Sequence, residues 1–73
     1  MEDSEYLQRL GERIVLLRLA KGMTQLQLAE RLGTKNTQVR RIERGQVNST
    51  INMLRKIAVV LEISVSDLVN INS

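Results

Sequence analysis

The sequence predicts an all-α domain of five short helices. Three observations indicate this: apolar residues recur at steps of three and four, capping residues and glycines separate these stretches, and proline is absent. The chain has 73 residues and a single aromatic residue, Tyr6, so its core must consist of aliphatic side chains and methionine. This length allows one compact domain, residues 1–73, with a core over about residues 7–69.

The composition excludes several classes of protein. Without cysteine or histidine, the chain cannot form disulfides, and it lacks the commonest metal ligands and the commonest general acid/base. We therefore expect no enzyme activity, no metal and no cofactor. No apolar run approaches the roughly 20 residues that a membrane-spanning helix needs, and no signal peptide is visible, so we expect a cytoplasmic protein.

The first predicted helix covers about residues 4–21 and ends at Gly22, a residue type that readily adopts positive φ. Gly11 interrupts this helix at a cost of about 1 kcal/mol relative to alanine, so we expect weak first turns. The apolar stripe of the helix comprises Leu7, Leu10, Ile14 and Leu17.

The second and third predicted helices are short and separated by a tight turn. Thr24 is followed three residues later by Gln27, which is the spacing of a capping box at the start of a helix over residues 25–32. Gly33 permits a turn into a third helix over residues 36–44.

Two further helices complete the prediction. Gly45 ends the third helix, Thr50 is the best N-cap for a fourth, and Ser64, with Asp67 three residues on, can cap a short fifth helix. The fourth helix has an apolar side composed of Ile51, Leu54, Ile57, Ala58 and Leu61, and the fifth carries Val65, Leu68 and Val69.

Basic residues concentrate in the third helix and beside it. Because an α-helix turns about 100° per residue, the polar side chains of the third helix fall on one arc, opposite Val39 and Ile42. Such an arc is either a solvated surface or the footprint of a polyanion-binding protein. The polar arc comprises Asn36, Thr37, Arg40, Arg41 and Arg44.

From Leu10 to about Val69 the chain resembles the phage repressor and Cro-like helix-turn-helix family, also called the xenobiotic-response-element family. The resemblance implies a lambda-repressor-like fold, with helices 2 and 3 as the helix-turn-helix, and sequence-specific binding to double-stranded DNA. The matching positions are Arg18, Gly22, Thr24-Gln25, Leu28-Ala29, Leu32-Gly33, Val39, Ile42-Glu43-Arg44-Gly45, Leu54, Ile57-Ala58, Leu61 and Ile63-Ser64.

The resemblance also implies roles for the polar residues. Asn36, Thr37 and Arg41 would contact base edges. Asparagine can form two hydrogen bonds with adenine, and arginine can form two with guanine. Arg40 would be a further base or phosphate contact. The expected phosphate contacts are Gln25, Lys35 and Arg44. The alternative for Gln25 is an ordinary residue of the first helical turn.

The resemblance implies a buried ion pair between Arg18 and Glu43. The alternative is a surface glutamate that neutralises Arg40 or Arg44. Ala29 has a small side chain, which we expect to allow a close approach of helices 2 and 3.

The sequence departs from the family pattern at three positions. Lys35 stands at the usual Ser/Thr cap of helix 3, so that either Thr34 caps the helix or the helix starts out of register. Leu26 replaces a residue that is usually polar, and Glu62 stands where a helix-ending glycine or asparagine is common.

The C-terminal segment is apolar and has two interpretations, a homodimer interface or the remainder of the monomer core. A dimer would bind a palindromic operator and either block polymerase as a repressor or recruit it. The alternative function is an antitoxin-like or adaptor module that binds protein. We expect no membrane and no small-molecule ligand as partner. The candidate interface residues are Ile63, Val65, Leu68, Val69 and Ile71.

Overall fold

The computed structural model describes residues 2–71, and within them all regular structure is α-helical. The prediction of an all-α, five-helix fold is confirmed, and the predicted bounds of the first three helices lie within one residue of the observed ones. Within residues 2–71, none of the helices is long and apolar enough to cross a membrane. The helices are α1 (Asp3–Ala20), α2 (Gln25–Leu32), α3 (Asn36–Glu43), α4 (Ile51–Leu61) and α5 (Val65–Val69).

Side-chain caps begin three of the helices, as predicted. The Thr24 hydroxyl accepts a hydrogen bond from the Gln27 N–H at 3.0 Å, and the Thr24 N–H donates to Gln27 Oε1 at 2.8 Å, which completes a capping box. Thr50 and Ser64 each accept a backbone N–H from the first turn of α4 and α5. These local bonds explain why the helix starts can be read from sequence.

The start of α3 uses neither of the two expected solutions. Lys35 is the N-cap, its side chain makes no capping hydrogen bond, and α3 still begins at Asn36 in the predicted register. The turn is fixed by the backbone instead: Gly33 has a φ of 71°, and the Thr34 N–H donates to the Ala29 carbonyl at 3.0 Å. A left-handed glycine followed by this bond closes α2 and starts α3 without a polar cap.

The core draws apolar side chains from all five helices. Ala29 is 1% exposed, as expected of a small residue at a helix contact. Leu68 is 0% exposed, so this residue belongs to the monomer core and is removed from the predicted dimer interface. The buried apolar residues are Leu10, Ile14, Met23, Leu28, Ala29, Leu32, Val39, Ile42, Ile57, Ala58, Leu61 and Leu68.

Gly11 is buried where α1 packs against the end of α3. A Cβ atom at this position would overlap the carbonyl oxygen of Glu43, so only glycine allows the two backbones to approach this closely. The helix is continuous through Gly11 from Asp3 onward. Its first turns are anchored by the Tyr6 hydroxyl, which donates to the Val69 carbonyl oxygen at 2.6 Å. The expectation of weak first turns omitted these tertiary contacts.

Candidate nucleic-acid interface

The outer face of α3 presents the predicted polar arc. Thr37, Arg40 and Arg41 are exposed, whereas Val39 and Ile42 on the other side are 1% and 4% exposed. Lys35 and Arg44 flank the helix and are also exposed. The cationic side chains of α3 and of both its ends are therefore all accessible from solvent.

A buried ion pair holds the C-terminal end of α3 against α1. Arg18 and Glu43 are 8% and 7% exposed, and Arg18 Nε and Nη2 donate to Glu43 Oε2 and Oε1 at 2.7 and 3.1 Å. Arg18 Nη1 also donates to the Met23 carbonyl oxygen at 2.9 Å. Because both charged groups are paired and hydrogen-bonded, these interactions offset the free-energy cost of removing them from water. Within residues 2–71, Glu43 makes its salt bridge with Arg18 and not with Arg40 or Arg44.

Gln25 joins this ion pair, a contact that sequence reasoning missed. Its Nε2 donates to Glu43 Oε1 at 2.8 Å, across a separation of 18 residues. No local pattern signals a bond between residues so far apart. The consequence is that the side chain of Gln25, partly buried at the start of α2, is held in one orientation next to α3.

The start of α2 also has backbone groups available for an anion. The Thr24 hydroxyl accepts a hydrogen bond from the Gln27 N–H, and the Leu28 N–H donates to the Thr24 carbonyl oxygen. In the part of the chain that the structure describes, the N–H groups of Gln25 and Leu26 have no such acceptor. Two free N–H groups at the positive end of a helix can bind a phosphate oxygen. The Leu26 side chain is 55% exposed beside them.

Asn36, the first residue of α3, is only partly exposed. Its Oδ1 is buried and accepts no hydrogen bond from residues 2–71. A bidentate contact with adenine uses both the oxygen and the nitrogen of the amide, so this side chain must rotate outward to make one. An unsatisfied buried acceptor costs about 1–3 kcal/mol, which lowers the net cost of that rotation.

The electrostatics of this surface follow from the ion pair. Within residues 2–71, no carboxylate lies within 4.0 Å of Lys35, Arg40, Arg41 or Arg44. The one acidic residue of α3, Glu43, is neutralised by Arg18. The exposed surface therefore combines uncompensated positive charge with hydrogen-bond donors, which is the arrangement that attracts a polyanion.

The rest of the predicted dimer segment is less buried than Leu68. Ile63, Val65, Val69 and Ile71 are each partly exposed, around and after α5.

The chain matches known proteins over most of its length. Residues 14–68 match the model of the helix-turn-helix family. The HTH-type transcriptional regulator SinR of Bacillus licheniformis is 39% identical over 62 residues, which covers 84% of this chain and 56% of that protein. The chain thus spans 56% of the length of this curated relative.

Solved structures have the same architecture. The restriction-modification controller protein C.AhdI from Aeromonas hydrophila is similar at a TM-score of 0.81 and 37% identity, covering 85% of this chain and 94% of that one. A crystal structure of SinR, the master regulator for biofilm formation, in complex with DNA is similar at a TM-score of 0.78 and 37% identity, covering 84% and 98% of the respective chains.

Proposed function

This chain belongs to the helix-turn-helix family, and we propose that it regulates transcription by binding double-stranded DNA sequence-specifically, with α3 in the major groove. The single observation that carries the proposal is the exposed cationic face of α3, rigidly supported by the buried pair of Arg18 and Glu43. Two matches support it by name: the SinR protein of Bacillus licheniformis is a transcriptional regulator, and a structure of SinR was solved in complex with DNA.

We assign base reading to the N-terminal and central part of α3. Thr37, Arg40 and Arg41 are exposed on one face, and arginine can bond guanine O6 and N7 together. Asn36 joins them after rotating its buried Oδ1 outward.

Phosphate contacts are assigned to residues that border this face. Gln25 is held at the start of α2, where the N–H groups of Gln25 and Leu26 lack intrachain acceptors within residues 2–71. Lys35 and Arg44 lie at the two ends of α3 and are exposed. These contacts position the protein on the duplex and read no sequence themselves.

We further propose that the protein acts as a homodimer on a palindromic operator. One helix-turn-helix reads few base pairs, so two copies would occupy half-sites about 34 Å apart. The surface for this contact comprises Ile63, Val65, Val69 and Ile71, which are apolar and partly exposed. Sedimentation at micromolar concentration tests the dimer, and a monomer both with and without operator DNA would exclude it.

The deciding experiment is selection of bound sequences from random duplex DNA with the purified protein. We expect enrichment of one palindrome, whose half-site spacing reports the geometry of the dimer. Arg41→Ala should relax the preference at one position of that palindrome. Arg9→Ala is the matched control, because Arg9 is an exposed arginine of α1 that is paired with Glu5 and has no assigned contact with DNA. Failure of the wild type to enrich any sequence would contradict DNA reading and favour the antitoxin-like or adaptor alternative.

Salt dependence separates these two functions independently. Each phosphate neutralised by a cation contributes a slope of about −0.9 to the logarithm of affinity against the logarithm of salt concentration. A partner protein held by apolar contacts would show a slope near zero.

A further inference from the structure

A second cationic surface lies between α2 and α4. An open groove of about 490 Å³ is lined by Arg31 of α2 and by Asn52, Arg55, Lys56, Val59 and Val60 of α4. We call it the α2–α4 groove. It includes no residue of α3 and none of the residues assigned to DNA.

Among residues 2–71, the cations of this groove form no salt bridge. Arg31, Arg55 and Lys56 are all exposed, and within residues 2–71 no carboxylate lies within 4.0 Å of any of them. The carboxylate of Glu62, just after α4, forms a salt bridge with Lys21 at 2.8 Å. Lys21 is the main cause of the lowered pKa of Glu62, and the charge of Arg31 contributes to it. Three unpaired like charges around one groove create a local positive potential that acidic groups would relieve.

An apolar side chain lies between the cations of α4. Val59 is 76% exposed, and it follows Arg55 by four residues and Lys56 by three, so both cations adjoin it on the helix surface. Val60 is partly buried at the edge of the same groove. An apolar side chain of a bound peptide would cover Val59, whereas a phosphate group offers only charge and hydrogen-bond acceptors.

We propose that the α2–α4 groove binds an acidic segment of a partner protein, with carboxylates against Arg31, Arg55 and Lys56 and an apolar side chain against Val59. The charge of the groove favours acidic side chains, and the exposed Val59 adds a surface that an apolar side chain of the same segment would cover. The groove shares no residue with the proposed DNA-binding surface, so this partner would use none of the side chains assigned to DNA.

The test uses fluorescence anisotropy with a labelled amphipathic peptide in which glutamates surround two leucines. A second peptide, in which serines replace the leucines, tests the apolar contact with Val59. A third, in which lysines replace the glutamates, tests the contribution of charge. We expect the wild-type chain to bind the first peptide. The second and third should bind about tenfold or more weakly, which corresponds to a loss of about 1.4 kcal/mol or more of binding free energy.

Two variants locate the binding. Arg55→Glu and Val59→Asp should each lower the affinity for the acidic peptide about tenfold or more, because each places a new carboxylate against the carboxylates of the peptide. Leu16→Asp is the matched control, since Leu16 is 69% exposed on α1 outside the groove and its replacement should leave the peptide affinity unchanged.

Three results would overturn the proposal. Equal peptide binding by the wild type and both groove variants would place the peptide elsewhere. A parallel loss of affinity for duplex DNA in Val59→Asp would make the groove a flank of the DNA surface. Dissociation of a wild-type dimer into monomers by Val59→Asp, measured by sedimentation, would make a second copy of the chain its occupant. The peptide-binding and sedimentation measurements use no DNA, so failure of this proposal is distinguishable from failure of the DNA proposal.

Discussion

Replacing Arg18 by methionine removes one side of the buried ion pair and keeps most of the side chain's volume. In the variant, the Glu43 carboxylate, 7% exposed, retains from residues 2–71 only the hydrogen bond donated by Gln25 at 2.8 Å. The Met23 carbonyl oxygen also loses the donor that lies 2.9 Å away. The variant therefore contains an uncompensated buried charge and a buried acceptor without a partner.

The expected loss is large relative to the stability of the domain. Breaking a buried pair by removing one partner costs about 3–5 kcal/mol. At about 0.05–0.15 kcal/mol per residue, a domain of this length has a free energy of unfolding of roughly 4–11 kcal/mol. We expect Arg18→Met to lower Tm by roughly 12–40 °C, at about 4–8 °C per kcal/mol, or to unfold the chain.

The assay is a double-mutant cycle followed by urea and thermal denaturation with circular dichroism. Arg18→Met combined with Glu43→Leu replaces both charges by apolar groups, so we expect the double variant to recover most of the loss. The Met23 carbonyl oxygen still lacks its donor, so its free energy of unfolding should stay about 1–3 kcal/mol below that of the wild type. Arg9→Met is the control, since its pair with Glu5 is half exposed, at 53% and 51%, and its loss should cost about 0.5 kcal/mol or less.

Either of two results would refute the reasoning. A loss below about 1 kcal/mol for Arg18→Met would mean that Glu43 is not desolvated enough to need its partner. Additive losses in the double variant would mean that Arg18 and Glu43 do not interact energetically.

Three further predictions concern other parts of the molecule. Gly11→Ala should destabilise the fold by about 1–3 kcal/mol in urea denaturation, because its Cβ would meet the backbone of α3; a gain of about 1 kcal/mol, as helix propensity alone predicts, would contradict the close approach. Arg41→Ala should relax the preference at one operator position, whereas Gln25→Ala should weaken all duplexes alike; identical profiles in a binding selection would reject these separate roles. The hydrogen bond from Lys21 lowers the pKa of Glu62 below its ordinary value of 4.5, so the stability that the pair contributes is present above that pH and is lost as pH falls through the folded-state pKa. The Tm difference between wild type and Glu62→Gln should accordingly vanish in acid and shrink in high salt, and a constant difference would show that the pair is unimportant.

Local chemistry explains which parts of the fold were predictable. The bounds of α2 are encoded by the capping box of Thr24 and by Gly33, both within a few residues of the helix they delimit. Glu62 shows the same logic at the end of α4, since it adopts the positive φ of 60° expected where a glycine or asparagine is common. Family resemblance supplied the pair of Arg18 and Glu43, which no local pattern would indicate.

Contacts between distant segments explain what was missed. Gly11 looked like a weak point in α1, yet it is where the backbone of α3 packs, 32 positions away at Glu43. For Leu68 the sequence left a dimer interface and the monomer core both open, and its 0% exposure assigns it to the core. The bond from Gln25 to Glu43 joins residues 18 positions apart. Each of these depends on how helices pack, which periodicity along one helix does not contain.

The burial of Glu43 explains how a carboxylate can belong to a helix that we propose to place against DNA. Had it paired with Arg40 or Arg44 on the surface, it would have cancelled part of the charge that attracts phosphate. Its pairing with Arg18 inside the domain instead leaves those arginines uncompensated among residues 2–71. Inward and outward residues of α3 therefore have separate effects: replacing Arg40 by alanine should change affinity for DNA and leave Tm unchanged, whereas replacing Glu43 should change both.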